Sequence, residues 1–258
     1  MADARVARGA CPAGIRPGDE TAAASAVREM FGRVAPRYDL LNHLLSGQLD
    51  VYWRRRLVRA VRPYLQRPRL RFADLCCGTG DLALALAKER RRLASDQSGV
   101  PLAADFCRPM LERAQSKLVQ AGSRCELAEA DATQMPLADA SLDLVTIAYG
   151  FRNLASYDRG AAEFRRVLAS GGCLAMLEFS QPPSVVWGAL FGAYFRHVLP
   201  RLGNLVSGSG QAYSYLHRSV QRFPSPSEIR RMLLDCGFSR VETQSLTGGV
   251  SVLYLAYV

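Results

Sequence analysis

The chain predicts a doubly wound α/β fold: a mostly parallel, seven-stranded sheet with helices on both faces, a terminal antiparallel strand and extra N-terminal helices. Three observations predict it. A strand, a small-residue turn and a helix follow one another directly over residues 70–87. Short apolar runs then alternate with helical patterns through the middle of the chain. Two strand-like runs, separated by one short turn, close it.

Residues 1–24 are Ala, Arg, Gly and Pro with little periodicity and read as a disordered tail. From Ser25 the pattern is helical: Val27, Met30, Phe31 and Val34 share a face, and Pro36 ends it. A second helical stretch runs from about Asp39 through Leu40, Leu41, Leu44 and Leu45 to Trp53–Val58. These helices precede the first strand and lie outside the sheet core. They can cap a cofactor, line an acceptor pocket or simply pack on the domain.

Leu70–Leu75 is a buried strand, turning over Gly78-Thr79-Gly80 into the helix-forming run Leu82–Ala87. Gly99–Asp105 is the second strand, Met110–Ala121 a helix and Cys125–Ala128 the third strand. Ser141–Ala148 is the fourth strand, opening onto Tyr149-Gly150-Phe151-Arg152-Asn153-Leu154 at its C-terminal mouth. A helix through Phe164, Val167 and Leu168 closes at Gly171-Gly172, and Cys173–Phe179 is the fifth strand. Trp187–Val206 carries a surplus of Leu, Phe, Tyr and Val after the sheet is nearly complete. It suits a greasy acceptor or a surface helix. A helix over Pro226–Cys236 and strands over Phe238–Leu246 and Gly249–Tyr257 finish the chain. The expected organisation is one domain over 25–258: a helical cap over 25–66, a cofactor-binding core over 67–180, an acceptor-site insertion over 181–225 and a terminal helix and strand pair over 226–258.

With 49% hydrophobic and 22% charged residues, the chain can bury a core. No segment has the apolar length to span a bilayer, since the uncharged run Phe179–Phe195 is broken by Pro182-Pro183. The N-terminus lacks an apolar signal core, so secretion is not expected. Seven cysteines, an odd number scattered through strand and helix patterns, do not form a disulfide framework or a zinc site. A reduced cytoplasmic setting and no metal are the expectations. The net charge of +10 rests on 33 basic residues, of which only Lys88 and Lys117 are lysines. An arginine bias on solvated faces, an anionic membrane surface or a nucleic acid would each account for it.

The corner after the first strand carries the chemistry. Gly78 and Gly80 let backbone approach a ligand, and a helix N-terminus offers unpaired N–H groups. Gly78-x-Gly80-x-x-Ala83 also fits a loose dinucleotide fingerprint with Asp105 downstream. Asp74, just before the turn, favours a cationic group over the loop and would repel a pyrophosphate. Asp105, at a strand C-terminus, suits two ribose hydroxyls. Asp131 and the Ala132 N–H can read an adenine amine and ring edge, although a turn acid is equally ordinary at Asp131.

Asp74-x-Cys76-x-Gly78-x-Gly80 resembles the first motif of S-adenosylmethionine-dependent methyltransferases. The stretch Phe31-Gly32-Arg33-Val34-Ala35-Pro36-Arg37-Tyr38-Asp39-Leu40-Leu41-Asn42 narrows this: it resembles the opening signature of the ubiquinone/menaquinone biosynthesis C-methyltransferases. The similarity continues through Trp53-Arg54, Gly150-Phe151-Arg152-Asn153, Leu177-Glu178-Phe179-Ser180, Tyr213-Ser214-Tyr215-Leu216, Ser219-Val220 with Arg222-Phe223-Pro224, and Leu246–Val250. It covers about residues 27 to 252.

The resemblance implies a Rossmann-like class I methyltransferase fold and methyl transfer from S-adenosylmethionine to a ring carbon of a polyprenylated quinol. It places the family's cofactor contacts on Thr79, Asp105, Asp131 and Ala132. The Asp-Leu-Cys-Cys-Gly-Thr form of the first motif looks more like menaquinone-only relatives than dual-function ones, so demethylmenaquinol is the expected acceptor. Ala148 stands where a serine is common, and Gln211 where an aspartate is frequent. For catalysis, Arg152 is expected to stabilise the phenolate as a fixed cation and Asn153 to orient ring or water. Peripheral membrane contact fits such an acceptor. A nucleic-acid methyltransferase is disfavoured: no Asn/Asp-Pro-Pro-aromatic loop follows the fourth strand, and no Pro-Cys pair occurs.

Overall fold

The apolar run ahead of the glycine turn becomes a central strand, Phe72–Leu75, whose four residues are all buried. A strand covered on both faces has no polar side to show, which is why its sequence is continuous rather than alternating. The computed structural model describes residues 9–10, 12–16, 18–39, 46–93, 100–182 and 211–258. The expected helical positions Leu40, Leu41, Leu44 and Leu45 and the apolar stretch Trp187–Val206 lie outside the described residues.

The cap comprises α1 (Glu20–Val34), α2 (Leu49–Ala60) and the short α3 (Arg62–Leu65). The core follows as β1 (Phe72–Leu75), α4 (Asp81–Leu93), β2 (Leu102–Asp105), α5 (Arg108–Gln120), β3 (Glu126–Glu129) and β4 (Leu142–Ala148). Next come α6 (Tyr157–Val167), β5 (Leu168–Phe179), α7 (Gln211–Arg222), α8 (Pro226–Asp235), β6 (Arg240–Leu246) and β7 (Ser251–Tyr257). The seven strands form one sheet in the order β3-β2-β1-β4-β5-β7-β6. β7 pairs antiparallel with both neighbours, and the other pairings are parallel. The order reverses between β1 and β4, and ligands of such sheets bind beyond the strand C-termini at that point.

Alternation along the strands divides the core. Ala73, Leu75, Val145 and Ile147 pack with α6 and α8 through Phe164, Ile229 and Leu233. Phe72 and Leu144 face the other way and pack with Trp53, Leu57, Leu65 and Leu86. The cap is therefore part of the core. Trp53 is 1% exposed and its indole N–H donates to Thr247 Oγ1 at 2.8 Å.

Two boundaries differ from expectation. α1 begins at Glu20, ahead of Ser25, because Asp19 caps it by accepting the Ala22 N–H. Ala10 also donates its N–H to Leu154 O at 2.8 Å, and a Cβ on Gly9 would sit 1.9 Å from Ala155 O. The end of the supposed tail is thus docked. Second, α6 ends at Val167, and Leu168 already belongs to β5. Gly171 (φ 72°) and Gly172 do not cap the helix. They sit where the β4–β5 register shifts between Leu142 and Leu144.

Candidate active site

A cleft of about 670 Å³, partly open to solvent, lies at the C-terminal ends of β1, β2 and β4. Its walls include Ala24, Phe31 and Tyr38 of the cap, Gly78 of the turn, Asp105, Phe106 and Met110, then Asp131 and Ala132, and finally Ala148–Gly150 and Asn153–Ala155.

Of the seven residues expected at a cofactor, Gly78, Asp105, Asp131 and Ala132 line the cleft. Asp105 Oδ2 accepts the Gly78 N–H at 2.8 Å and Oδ1 accepts the Cys107 N–H at 2.9 Å. The carboxylate that suits a ribose therefore also organises the turn and the chain leading into α5. Burial raises its pKa, and the Cys107 and Gly78 amides act against that. Asp131 Oδ1 accepts both the N–H and the Oγ1–H of Thr133 at 2.8 Å, so it is a turn acid as well as a cleft residue.

The other three sit beneath the surface. Gly80 has φ 81°, and a Cβ there would stand 3.1 Å from the Ala114 Cβ, so it serves close packing between α4 and α5. Thr79 is 2% exposed and its hydroxyl donates to Asp39 Oδ1. Asp74 is 1% exposed and accepts the Thr146 hydroxyl on Oδ1 at 2.8 Å. Its Oδ2 makes no hydrogen bond, although the Ala83 amide lies near enough to favour the charge without bonding geometry. Burial dominates and lifts the Asp74 pKa to about 7, against the Thr146 hydroxyl and the Arg54 charge.

At the mouth of β4, Tyr149 holds a left-handed backbone (φ 58°), which is uncommon for a bulky residue. Its polar groups are all engaged. The N–H donates to Leu177 O at 2.8 Å, and the carbonyl accepts from Arg152 and from Asn153 Nδ2. The phenol lies 3.2 Å from Ser251 Oγ. A Cβ on the following Gly150 would fall 2.4 Å from the Cys76 Cβ, so only glycine fits between the ends of β1 and β4.

Arg152 departs from its expected role as the cation facing the phenolate. It is absent from the cleft wall. Its guanidinium donates to Glu178 Oε1 at 2.7 Å and its backbone N–H to Glu178 Oε2 at 3.1 Å. Glu178 is itself fully buried. Burial opposes the arginine's charge, but the Glu178 carboxylate outweighs it and the pKa is raised. The physical reason is desolvation: a buried guanidinium needs a buried counter-charge. Asn153 does face the cleft. Its Oδ1 accepts the Tyr215 hydroxyl at 3.0 Å, while Nδ2 donates to Tyr149 O at 3.2 Å. Helix α7, which sequence reading did not assign, supplies Tyr215. Its signal was the 3–4 spacing of Tyr213, Leu216 and Val220.

The residues around the turn match those of a methyltransferase family over nearly the whole chain. The family model described as "ubiE/COQ5 methyltransferase family" matches residues 19–258. The chain belongs to this family. It is 46% identical over 226 residues to a demethylmenaquinone methyltransferase of Thermus thermophilus, covering 88% of this chain and 98% of that one. A second, from Deinococcus radiodurans, is 44% identical over 238 residues, 92% of this chain and 95% of that one. Solved structures share the fold at low identity. A SAM-dependent methyltransferase, possible histamine N-methyltransferase, from Thermotoga maritima matches with TM-score 0.59 and 16% identity over 90% of this chain and 99% of its own. A SAM-dependent methyltransferase from Aquifex aeolicus matches with TM-score 0.54 and 18% identity over 77% and 87%.

The chain is thus a class I methyltransferase whose methyl donor is S-adenosylmethionine. The site fits that donor. Gly78 leaves room over the loop, Asp105 lines the cleft with the apolar Phe106 and Met110, and Asp74 Oδ2 is a buried acceptor without a hydrogen bond. Among the described residues no group of three or more His, Cys, Asp or Glu is placed to hold a metal ion. No described helix is long and apolar enough to cross a membrane.

Proposed function

We propose that this methyltransferase methylates the ring of demethylmenaquinol to give menaquinol. The observation that carries this reading is Asn153, an amide held in one orientation at the acceptor end of the cleft. The names of relatives at 46% and 44% identity support the substrate. Bound in the cleft, S-adenosylmethionine supplies an electrophilic methyl group. Asp105 accepts the ribose hydroxyls, Asp131 and the Ala132 N–H read the adenine edge, and Gly78 admits the donor close to backbone. Thr79 and Gly80 shape the loop from below, and Asp74 supplies negative charge beneath it.

A quinol ring carbon becomes nucleophilic as a ring hydroxyl loses its proton. An amide has two donor hydrogens and one acceptor oxygen. Tyr149 O is only an acceptor, so Nδ2 must face it, and Tyr215 occupies Oδ1. The second Nδ2–H remains for the quinol oxygen, where it stabilises developing negative charge. The phenolic proton leaves to water at the open side. Arg152 acts one step back: paired with Glu178, it pins the Tyr149 carbonyl and so aims Asn153. It is too strongly held in its charged form to serve as a base.

The enzyme works in the cytoplasm with peripheral membrane contact, where a polyprenylated acceptor resides. A dual-function reading, in which 2-methoxy-6-polyprenyl-1,4-benzoquinol is also methylated, shares this geometry. The test offers both quinols in detergent with labelled S-adenosylmethionine. Label in demethylmenaquinol alone is expected. Label in both makes the enzyme dual-function, and label in neither sinks the quinol reading and points to an RNA substrate. Asn153→Ala in the same assay is expected to lower kcat by about 10²-fold, the scale of one oxyanion donor, with cofactor affinity unchanged.

A further inference from the structure

Beside the cofactor loop, and in contact with it through Thr79, lies an ion network that the proposed chemistry does not use. Lys117, on α5, places its ammonium among three partners: Asp39 Oδ2 at 2.8 Å, Asp81 Oδ1 at 2.5 Å and Thr79 Oγ1 at 3.2 Å. An ammonium has three protons, so this side chain is saturated. Asp39 Oδ1 also accepts the Thr79 hydroxyl at 2.5 Å. The chain of charges continues from Asp81 Oδ2 to Arg54 at 3.4 Å, and from Arg54 to Asp50 Oδ2 at 2.6 Å. The Lys117, Asp39 and Asp81 side chains are 25%, 33% and 23% exposed, so water screens them only in part.

The network fastens particular pieces together. Asp39 directly follows Tyr38, a cleft residue whose Cε1 lies 3.9 Å from where a Cβ on Gly78 would stand. Tyr38 also packs edge-on against Phe31, another cleft residue, with ring centroids 6.0 Å apart. Thr79 belongs to the cofactor loop, and Asp81 opens α4 behind it. A tie at Asp39 therefore fixes the segment that carries Tyr38 over the loop.

We propose that Asp39, Lys117 and Asp81 form a latch that holds the Tyr38 segment down on the cofactor loop, making Lys117 a positioning residue for cofactor retention. The inference rests on the cleft being the S-adenosylmethionine site. It also accounts for one of the two lysines in a chain whose other basic residues are arginine. Three partners grouped around one nitrogen suit an ammonium. A planar guanidinium directs its protons in one plane and cannot reproduce the tripod.

The test uses the full chain with S-adenosylmethionine as probe, reading Kd and dissociation rate by calorimetry and stopped flow, and quinol KM at saturating cofactor. Lys117→Met, Lys117→Arg and Asp39→Asn are each expected to weaken cofactor binding about tenfold or more, as loss of a partly desolvated charge partner should, mainly through faster dissociation. Quinol KM is expected to stay within about twofold of the unaltered chain's. Arg71→Ala, which breaks the exposed Arg71–Asp143 pair, serves as control and is expected to leave Kd alone. Cofactor Kd unchanged in Asp39→Asn and Lys117→Arg, with only Tm reduced, would overturn the latch. Full rescue by Lys117→Arg would overturn the tripod. If the unaltered chain failed to bind S-adenosylmethionine, the cofactor reading would fall and the latch with it.

Discussion

Asp74 shows how far folding can move a side chain from the behaviour its sequence suggests. As the acid of the first motif it was expected to stand charged below a cationic ligand group. Folding places it at 1% exposure with one oxygen unpaired, and burial holds its pKa up to about 7. Because the folded value lies above the unfolded one, the native state keeps a proton that the unfolded chain has released between about pH 4 and 7. Stability of the ligand-free protein should therefore fall as pH rises through that window. Asp74→Asn removes the titrating group, and its Tm should lose this part of the slope. Identical slopes in the two proteins would show that Asp74 ionises normally. A bound cation favours the charged form, so cofactor affinity of the unaltered chain should rise as pH passes about 7, with proton release measurable by calorimetry in two buffers.

Elements matter here mainly through their ends. The mouth of β4 carries Tyr149, the turn after β1 carries Gly78, and β2 ends at Asp105; none of these works alone. Cap and strap complete the cleft from outside the sheet: Ala24, Phe31 and Tyr38 line it from the cap, and residues 9–10, the strap, brace its lining residues Leu154 and Ala155. Glu20 adds a 2.8 Å pair to Arg159. A Gly9→Val chain cannot keep the strap in place, because a side chain there would meet Ala155 O. Its Tm should fall little, by the ~1 kcal/mol of a lost surface hydrogen bond and contact. Limited proteolysis ahead of α1 should become faster, and equal cleavage rates would show that the strap is not bound.

At the scale of the whole molecule the excess of arginine divides into two groups. Arg54, Arg90 and Arg152 are buried or nearly so and hold carboxylates or backbone carbonyls, whereas Arg33, Arg71, Arg92, Arg108 and Arg240 form exposed pairs of small net worth. The net charge of +10 favours an anionic surface, which the proposed acceptor would have the enzyme visit. Flotation with vesicles containing anionic phosphatidylglycerol should recover the protein at low salt and release it at high salt. Equal binding to zwitterionic vesicles would assign any membrane contact to apolar residues instead.

Local and periodic features were legible from residues alone. The strand–turn–helix at Phe72–Leu82, the strand–helix alternation, the closing strands and Asp105 at a strand end follow from burial pattern and position, because apolar period and turn chemistry act over a few residues, whereas Asp131 is singled out only with the family resemblance in hand. Tertiary structure decided which charges meet. Arg152 finds Glu178 across 26 positions, Asn153 finds Tyr215 across 62, and Lys117 finds Thr79 across 38. Nothing local marks such partners, since a charge in a sequence carries no sign of whether folding will leave it in water. Desolvation makes that choice. It turned an expected catalytic cation into a buried brace and one of two lysines into a tie across the cofactor loop.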